Sequence, residues 1–252
     1  MVEPVFVQPH FDDVALSCGG AVAAQAETGR ARIVTIFGGE PPSSLSAFAR
    51  FQHERWQLSD AQVVALRRAE DARAAAELGA GVGVTTLDYL DAIYRRPAYA
   101  SDEALFGAPV ASDLELVDAL ADALEGFGDR FVLPLAVGNH VDHQLAFRAG
   151  VRLSQRGHEV WLYADLPYAL DDDALQARLR VLGDPAPCVF ELSPAQFDRR
   201  WRAIECYVSQ LPVLFRDLPG PRERFKRFGN QAGTGGPVEM FWRMDAIEGR
   251  ET

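Results

Sequence analysis

The strongest constraint on the fold is an alternation. Short apolar, β-branched runs at 5–7, 33–37, 85–87, 131–135, 160–163 and 189–192 are separated by segments of helical pattern at 13–28, 61–78, 113–124, 143–156 and 194–210. Several of the short runs are apolar at every position, which suits strands covered on both faces of a sheet. The alternation predicts a single-domain α/β, Rossmann-like fold, with a mostly parallel central sheet and helices on both faces. Gly29 and Gly79 stand where two of the helices should stop. The 252 residues suffice for one such domain with a sizeable core.

Three stretches interrupt the pattern. Residues near 38–60 and 91–107 are too long for plain connections, and long loops of this kind commonly cover or line binding sites. The stretch near 218–236 is rich in Gly and Pro and is the most basic part of the chain, which reads as a mobile surface loop or a substrate rim.

Charge narrows the function classes. With 25 Lys and Arg against 36 Asp and Glu, the net charge of −11 argues against nucleic acid and anionic membrane surfaces as partners, while leaving room for a local basic pocket. Lys226 is the single lysine, hence the one candidate for Schiff-base chemistry. Cys18, Cys188 and Cys206 are odd in number, widely spaced and without a CxxC, so they read as core residues rather than a disulfide or zinc framework. The first residues lack a basic segment followed by an apolar one, and no apolar run approaches about 20 residues, so a cytoplasmic protein without a membrane partner is expected. Apolar residues around Phe37 and Phe48 are candidates for homo-oligomer contacts.

Three of the five histidines fall in two polar clusters. Gln8-Pro9-His10-Phe11-Asp12-Asp13 follows the first expected strand, and Gly138-Asn139-His140-Val141-Asp142-His143 follows the fourth; a helix begins at each. In an open α/β sheet the binding crevice lies outside the carboxyl ends of the strands, where the strand order reverses. The two clusters should therefore meet across one cleft. Imidazole and carboxylate suit a divalent metal, and two histidines with one aspartate would leave a coordination position open for water. HxxD spacing at a loop–helix junction lets the first and fourth residues converge. The Asp12–Asp13 pair then divides into one ligand and one base. Read singly, either cluster is also compatible with an N-cap or a polar turn. His158 reads as solvated, and His53 lies in the long loop near 38–60. Gly19-Gly20 sits inside the first helix, and Gly-x-Gly-x-x-Gly is absent between strand and helix. The pair is expected to permit close packing rather than to hold a dinucleotide.

Pro9-His10-Phe11-Asp12-Asp13-Val14-Ala15-Leu16-Ser17-Cys18-Gly19-Gly20 resembles the (P/A)HPDDxxLxxGG signature of the PIG-L/LmbE-like deacetylases. His140-Val141-Asp142-His143 resembles that family's second signature, HPDH or HxDH, and Arg67-Arg68-Ala69-Glu70 leading to Leu78-Gly79 resembles its RxxE…LG helix. Phe11 and Val141 stand where prolines are usual, at positions that donate no side chain to the chemistry. The resemblance implies a zinc-dependent hydrolase, with one Zn2+ per chain, that removes an N-acyl group, usually acetyl, from an amino sugar. It implies that His10, Asp13 and His143 bind the metal and that Asp12 is the general base. His140 would polarise or protonate the reacting group, and Asp142 would orient it, holding it protonated. Arg67, Asp88 and Asp91 are candidates for substrate contacts, whereas Arg95 reads as an ordinary ion pair. A soluble N-acyl amino sugar or glycosylated natural product fits this surface better than a lipid-embedded substrate. Two other readings share these residues: the same metal site acting on a different amide or acyl bond, and a Rossmann-like binding protein without turnover.

Overall fold

A computed structural model describes residues 3–229 and 235–247. Its strands are β1 (Val5–Gln8), β2 (Ala31–Thr35), β3 (Val82–Thr86), β4 (Arg130–Pro134), β5 (Glu159–Tyr163), β6 (Cys188–Glu191) and β7 (Val238–Arg243), in one sheet of order β3-β2-β1-β4-β5-β7-β6. β1 to β5 pair in parallel, and β7 runs antiparallel between β5 and β6. The expected α/β fold is present, and both β1 and all but the first residue of β4 are buried.

The helices are α1 (Asp13–Thr28), α2 (Ala47–Arg55), α3 (Val63–Leu78), α4 (Ala92–Arg95), α5 (Asp102–Leu105), α6 (Ala111–Leu114), α7 (Leu116–Glu125), α8 (Val141–Gln155), α9 (Asp172–Val181), α10 (Pro194–Glu205), α11 (Leu211–Leu214) and α12 (Pro221–Arg227). α1, α3 and α10 pack together, as do α7 and α8. Right-handed crossovers running one way from β1 to β3 and the other way from β4 to β5 put these two groups on opposite faces. α7 shows how the pattern works: it buries Val117, Leu120, Ala121 and Leu124, one stripe of an amphipathic helix.

The long loop near 38–60 carries α2, and that near 91–107 carries α4 and α5; Ser46, Asp91 and Ser101 each cap one of these helices through the side chain. In the stretch near 218–236 a helix, α12, replaces the expected loop over 221–227, while 230–234 lie outside the described residues. β7 was not expected, because a buried charge, Glu239, interrupts its apolar run.

Glu239 explains a kink. At Cys18 the backbone of α1 leaves the helical region (φ −143°, ψ 23°). The amides freed there, Gly20 and Ala21, donate to the Glu239 carboxylate at 2.7 and 2.8 Å. On the other side of the kink, the carbonyls of Ala15 and Leu16 accept from the Arg200 guanidinium, which itself lies 3.3 Å from Glu239. Two amides and two carbonyls released by the kink thus find charged partners in the core. Gly20 permits this approach, since a Cβ there would lie 2.5 Å from Leu192 and 2.9 Å from Glu239. The expectation of close packing at the glycine pair holds.

Three surface expectations change. Cys18 is buried, but Cys188 is exposed, because the edge position of β6 leaves its side chains uncovered, and Cys206, at the end of α10, is half-buried. Phe37 is buried beneath Arg95, whose guanidinium lies 5.0 Å from its ring, and so offers no oligomer surface. His158 is half-buried against Glu125 at 2.9 Å rather than solvated. Among the described residues no helix is long and apolar enough to cross a membrane.

Candidate active site

The order of the sheet reverses between β1 and its neighbours β2 and β4, and both polar clusters emerge there. After β1 the chain turns through Pro9–Phe11 into α1, and the Asp13 carboxylate closes the turn by accepting the backbone N–H of His10 at 2.8 Å. After β4 the turn is strained. Ala136 and Asn139 hold φ of 64° and 63°, and Gly138 holds 86°, in the left-handed region that costs a non-glycine residue about 1 kcal/mol or more. The Val137 amide is pinned to Asp165 at 2.9 Å. This turn delivers His140 to the N-cap of α8 and His143 into its first turn.

The three imidazoles of His10, His140 and His143 converge, with donor atoms within 4.8 Å of one another. Asp13 faces two of them: one oxygen lies 3.8 Å from His10 Nδ1 and the other 3.4 Å from His143 Nε2. Donors about 2.0–2.2 Å from a tetrahedral metal are roughly 3.4 Å apart, which is the separation of Asp13 from His143, while Asp13 lies slightly farther from His10. The rings of His10 and His143 are also held from behind. His143 Nδ1 lies 2.7 Å from Asp165, and His10 Nε2 lies 3.1 Å from Asp142 and 3.7 Å from Asp91. Carboxylates placed in this way fix the tautomer and the aim of metal-binding histidines. A second group, His10 with Asp91 and Asp142, also satisfies the spacing of a cation site.

The charges reflect this crowding. Burial disfavours a protonated His10, but its hydrogen bond with Asp142 and the charges of Asp91 and Asp13 outweigh burial and push it up to about 9. Burial likewise opposes charge on His143, and Asp13 and Asp165 again raise it. The pocket is built to hold positive charge. Asp12 points elsewhere, with its nearest cation Arg67 at 3.9 Å, and burial followed by the charge of Asp13 raises its carboxyl above the usual range. A carboxyl raised above its ordinary range is the stronger proton acceptor.

His140 departs from expectation. The Asp142 carboxylate is taken by Arg95 at 2.7 Å, His10 at 3.1 Å and the Ala92 amide at 3.1 Å, and it does not pair with the His140 ring. His140 Nδ1 instead accepts the backbone N–H of Asp142 at 3.2 Å. Burial, and then the positive charges of His10, His143 and Arg95, hold His140 well below its ordinary value. With Nδ1 accepting, the neutral tautomer carries its hydrogen on Nε2, and the pairing with Asp142 that was expected to hold the ring protonated is not formed. Arg95 is an ion pair as expected, but a central one: it also reaches Asp113 at 2.7 Å, tying the 91–113 segment to Asp142.

His10, Asp12, Asp13, His140 and His143 line one cavity of about 900 Å3, which Arg67 and Asp91 also line. Asp88 does not reach it. The isolated bridge of Phe37 with Asp88 turns the chain so that the Asp88 side chain is 92% exposed beside Arg68, and its expected substrate role is withdrawn. His53 is buried between Asp60 and Tyr94. Sequence reasoning missed Asp165, although it stands just past the carboxyl end of β5, on the edge that carries both clusters.

The chain matches the PIG-L family, described as GlcNAc-PI de-N-acetylase, over residues 5–154. It is 32% identical over 187 residues to the 2′-N-acetylparomamine deacetylase of Niallia circulans, covering 65% of this chain and 66% of that one. To the 2′-N-acetylparomamine deacetylase of Streptomyces fradiae it is 35% identical over 177 residues, covering 68% and 59%. The chain thus matches about three fifths to two thirds of the length of these relatives. The zinc-inhibited form of teicoplanin deacetylase Orf2 superposes with a TM-score of 0.81 at 26% identity, over 96% of this chain and 97% of that one. With the family's two polar signatures meeting in one cavity, the chain belongs to the PIG-L family of de-N-acetylases.

Proposed function

We propose that this protein is a metal-dependent hydrolase that removes an N-acyl group, acetyl in the first instance, from an amino sugar within a glycosylated or aminoglycoside-type metabolite. The observation that carries the reading is the division of labour within one cavity. Asp13 lies beside the imidazoles of His10 and His143, while Asp12 turns its carboxylate toward Arg67 and His140 accepts a backbone N–H at Nδ1. The resident ion is taken to be zinc, one per chain, held by His10, Asp13 and His143. When bound, such an ion supplies Lewis acidity, lowering the pKa of water to about 7 and polarising a carbonyl.

The chain's own residues do the rest. Asp12 accepts a proton from the attacking water as its oxygen bonds to the acyl carbon. His140 donates its Nε2–H to the carbonyl oxygen as negative charge develops there. Asp12 then returns the proton to the nitrogen as the C–N bond breaks, releasing a carboxylic acid and a free amine. Arg67 and Asp91 hold sugar oxygens. The deacetylases of acetylparomamine and teicoplanin support this substrate class.

The test is release of acetate from N-acetylated amino sugars and aminoglycosides by protein stripped of metal and then supplied with up to one equivalent of zinc. Turnover that depends on the metal supports the proposal. A wild-type protein that binds no zinc, or binds it and cleaves none of these amides, overturns it.

A further inference from the structure

Beside its polar groups the cavity contains an aromatic ring that the mechanism leaves unused. Phe106 is 37% exposed, and among the described residues it alone of the large exposed apolar side chains lines this cavity. Its ring centroid lies 5.3 Å from that of His140, nearly perpendicular at 86°, and 5.7 Å from that of Tyr168.

Phe106 is firmly held. Leu105, just before it, is buried in a small apolar cluster with Ala49, Ile93, Tyr99 and Val141. Just after it, the Gly107 carbonyl accepts a hydrogen bond from Gln144 of α8 at 2.7 Å. Tyr168 supports the ring and rests in turn on Gly138, where a Cβ would come within 2.9 Å of it. A rigid aromatic surface kept partly in water beside a reactive imidazole gains free energy when an apolar surface covers it.

A pyranose has such a surface. Its hydroxyls form a polar rim, while its axial C–H bonds form an apolar face. Arg67 and Asp91 can take the rim, but they leave the face without a partner. Of the other large aromatics lining the cavity, Tyr168 backs Phe106, and Trp56 is already engaged by Arg67, 5.0 Å from its ring, and by the stacked His53. We infer that Phe106 receives the C–H face of the pyranose that carries the scissile amide, and so selects ring-form amino sugars over open-chain amides. This inference rests on the proposed function for the identity of the substrate, but the placement of Phe106 is tested without turnover.

The test is saturation-transfer NMR, irradiating the aromatic protons, with methyl N-acetyl-β-glucosaminide and N-acetylethanolamine as probes. Wild-type protein, Phe106→Ala and Phe106→Trp are compared. In the wild type, saturation should reach the axial H1, H3 and H5 protons of the glucosaminide. In Phe106→Ala that transfer should disappear and the sugar bind about tenfold more weakly, while Phe106→Trp restores both. N-acetylethanolamine should be indifferent to all three, and zinc content and Tm should not change. Unaltered sugar affinity and transfer in Phe106→Ala would overturn the inference, as would a wild-type protein that takes up no sugar. Hydrolysis is measured separately: failure to cleave any amide overturns the proposed function, whereas the NMR result judges Phe106 by itself.

Discussion

Asp12 and Asp13 are neighbours in sequence, yet one faces two imidazoles and the other faces Arg67. This difference makes their substitutions separable. Asp13→Ala and His143→Ala should each abolish stoichiometric zinc, measured by metal analysis. Asp12→Asn should retain zinc and lose activity by about 10²–10⁴-fold, the range for removal of a general base. Loss of zinc in Asp12→Asn would assign that residue to the ligand set instead. Asp165→Asn should weaken zinc by about 10–100-fold in a chelator competition, because His143 loses the carboxylate that aims it. At this scale the sequence was informative wherever a histidine marked the strand end. Asp165 carries no such mark, and Asp88 and Asp91 differ by three positions around a turn that no residue pattern announces. The state of His140 was also invisible, since it depends on a backbone amide rather than on a neighbouring carboxylate.

Among the elements, the long strands and helices were legible because burial on a fixed period leaves a trace in composition. α2, α4, α5 and α6 are too short to show a period, and they depend on caps and on the Arg95 ion pairs for their positions. β7 was obscured by Glu239, whose charge makes sense only once the kink in α1 is seen. Removing the cation from that arrangement leaves a buried carboxylate and two carbonyls uncompensated. Arg200→Met should therefore cost about 3–5 kcal/mol in denaturant unfolding. A loss below about 1 kcal/mol would mean that the kink is maintained by packing alone.

Over the whole molecule, stability should depend on pH through a group outside the histidine cluster. Asp71 joins Gln8 of β1, Thr35 of β2 and Tyr207 beneath the sheet, and burial pushes its carboxyl up to about 7 against the hydrogen bonds from Tyr207 and Gln8. Between the ordinary carboxylate range near 4 and about 7, the folded protein keeps a proton on Asp71 that the unfolded chain releases. The contribution of this group to stability is therefore full below about 4 and is lost progressively as pH rises to about 7. Asp71→Asn should flatten that part of the Tm–pH profile, whereas an unchanged slope would remove Asp71 as its source.

The place of β7 in the chain has a consequence for the order of assembly. Residues 238–243 are made after every other described strand, yet they lie inside the sheet, between β5 and β6. A ribosome delivers the amino-terminal part first, so β1 to β5 can pair as they emerge, while β5 keeps an open edge and β6 has nothing to join. The kink of α1, formed from some of the earliest residues, has no carboxylate to receive its amides until Glu239 appears. A nascent chain of this protein is therefore an unfinished sheet with a sticky border, and a nonsense codon shortly before residue 238 would fix it in that state, prone to aggregate although both polar signatures had already been translated.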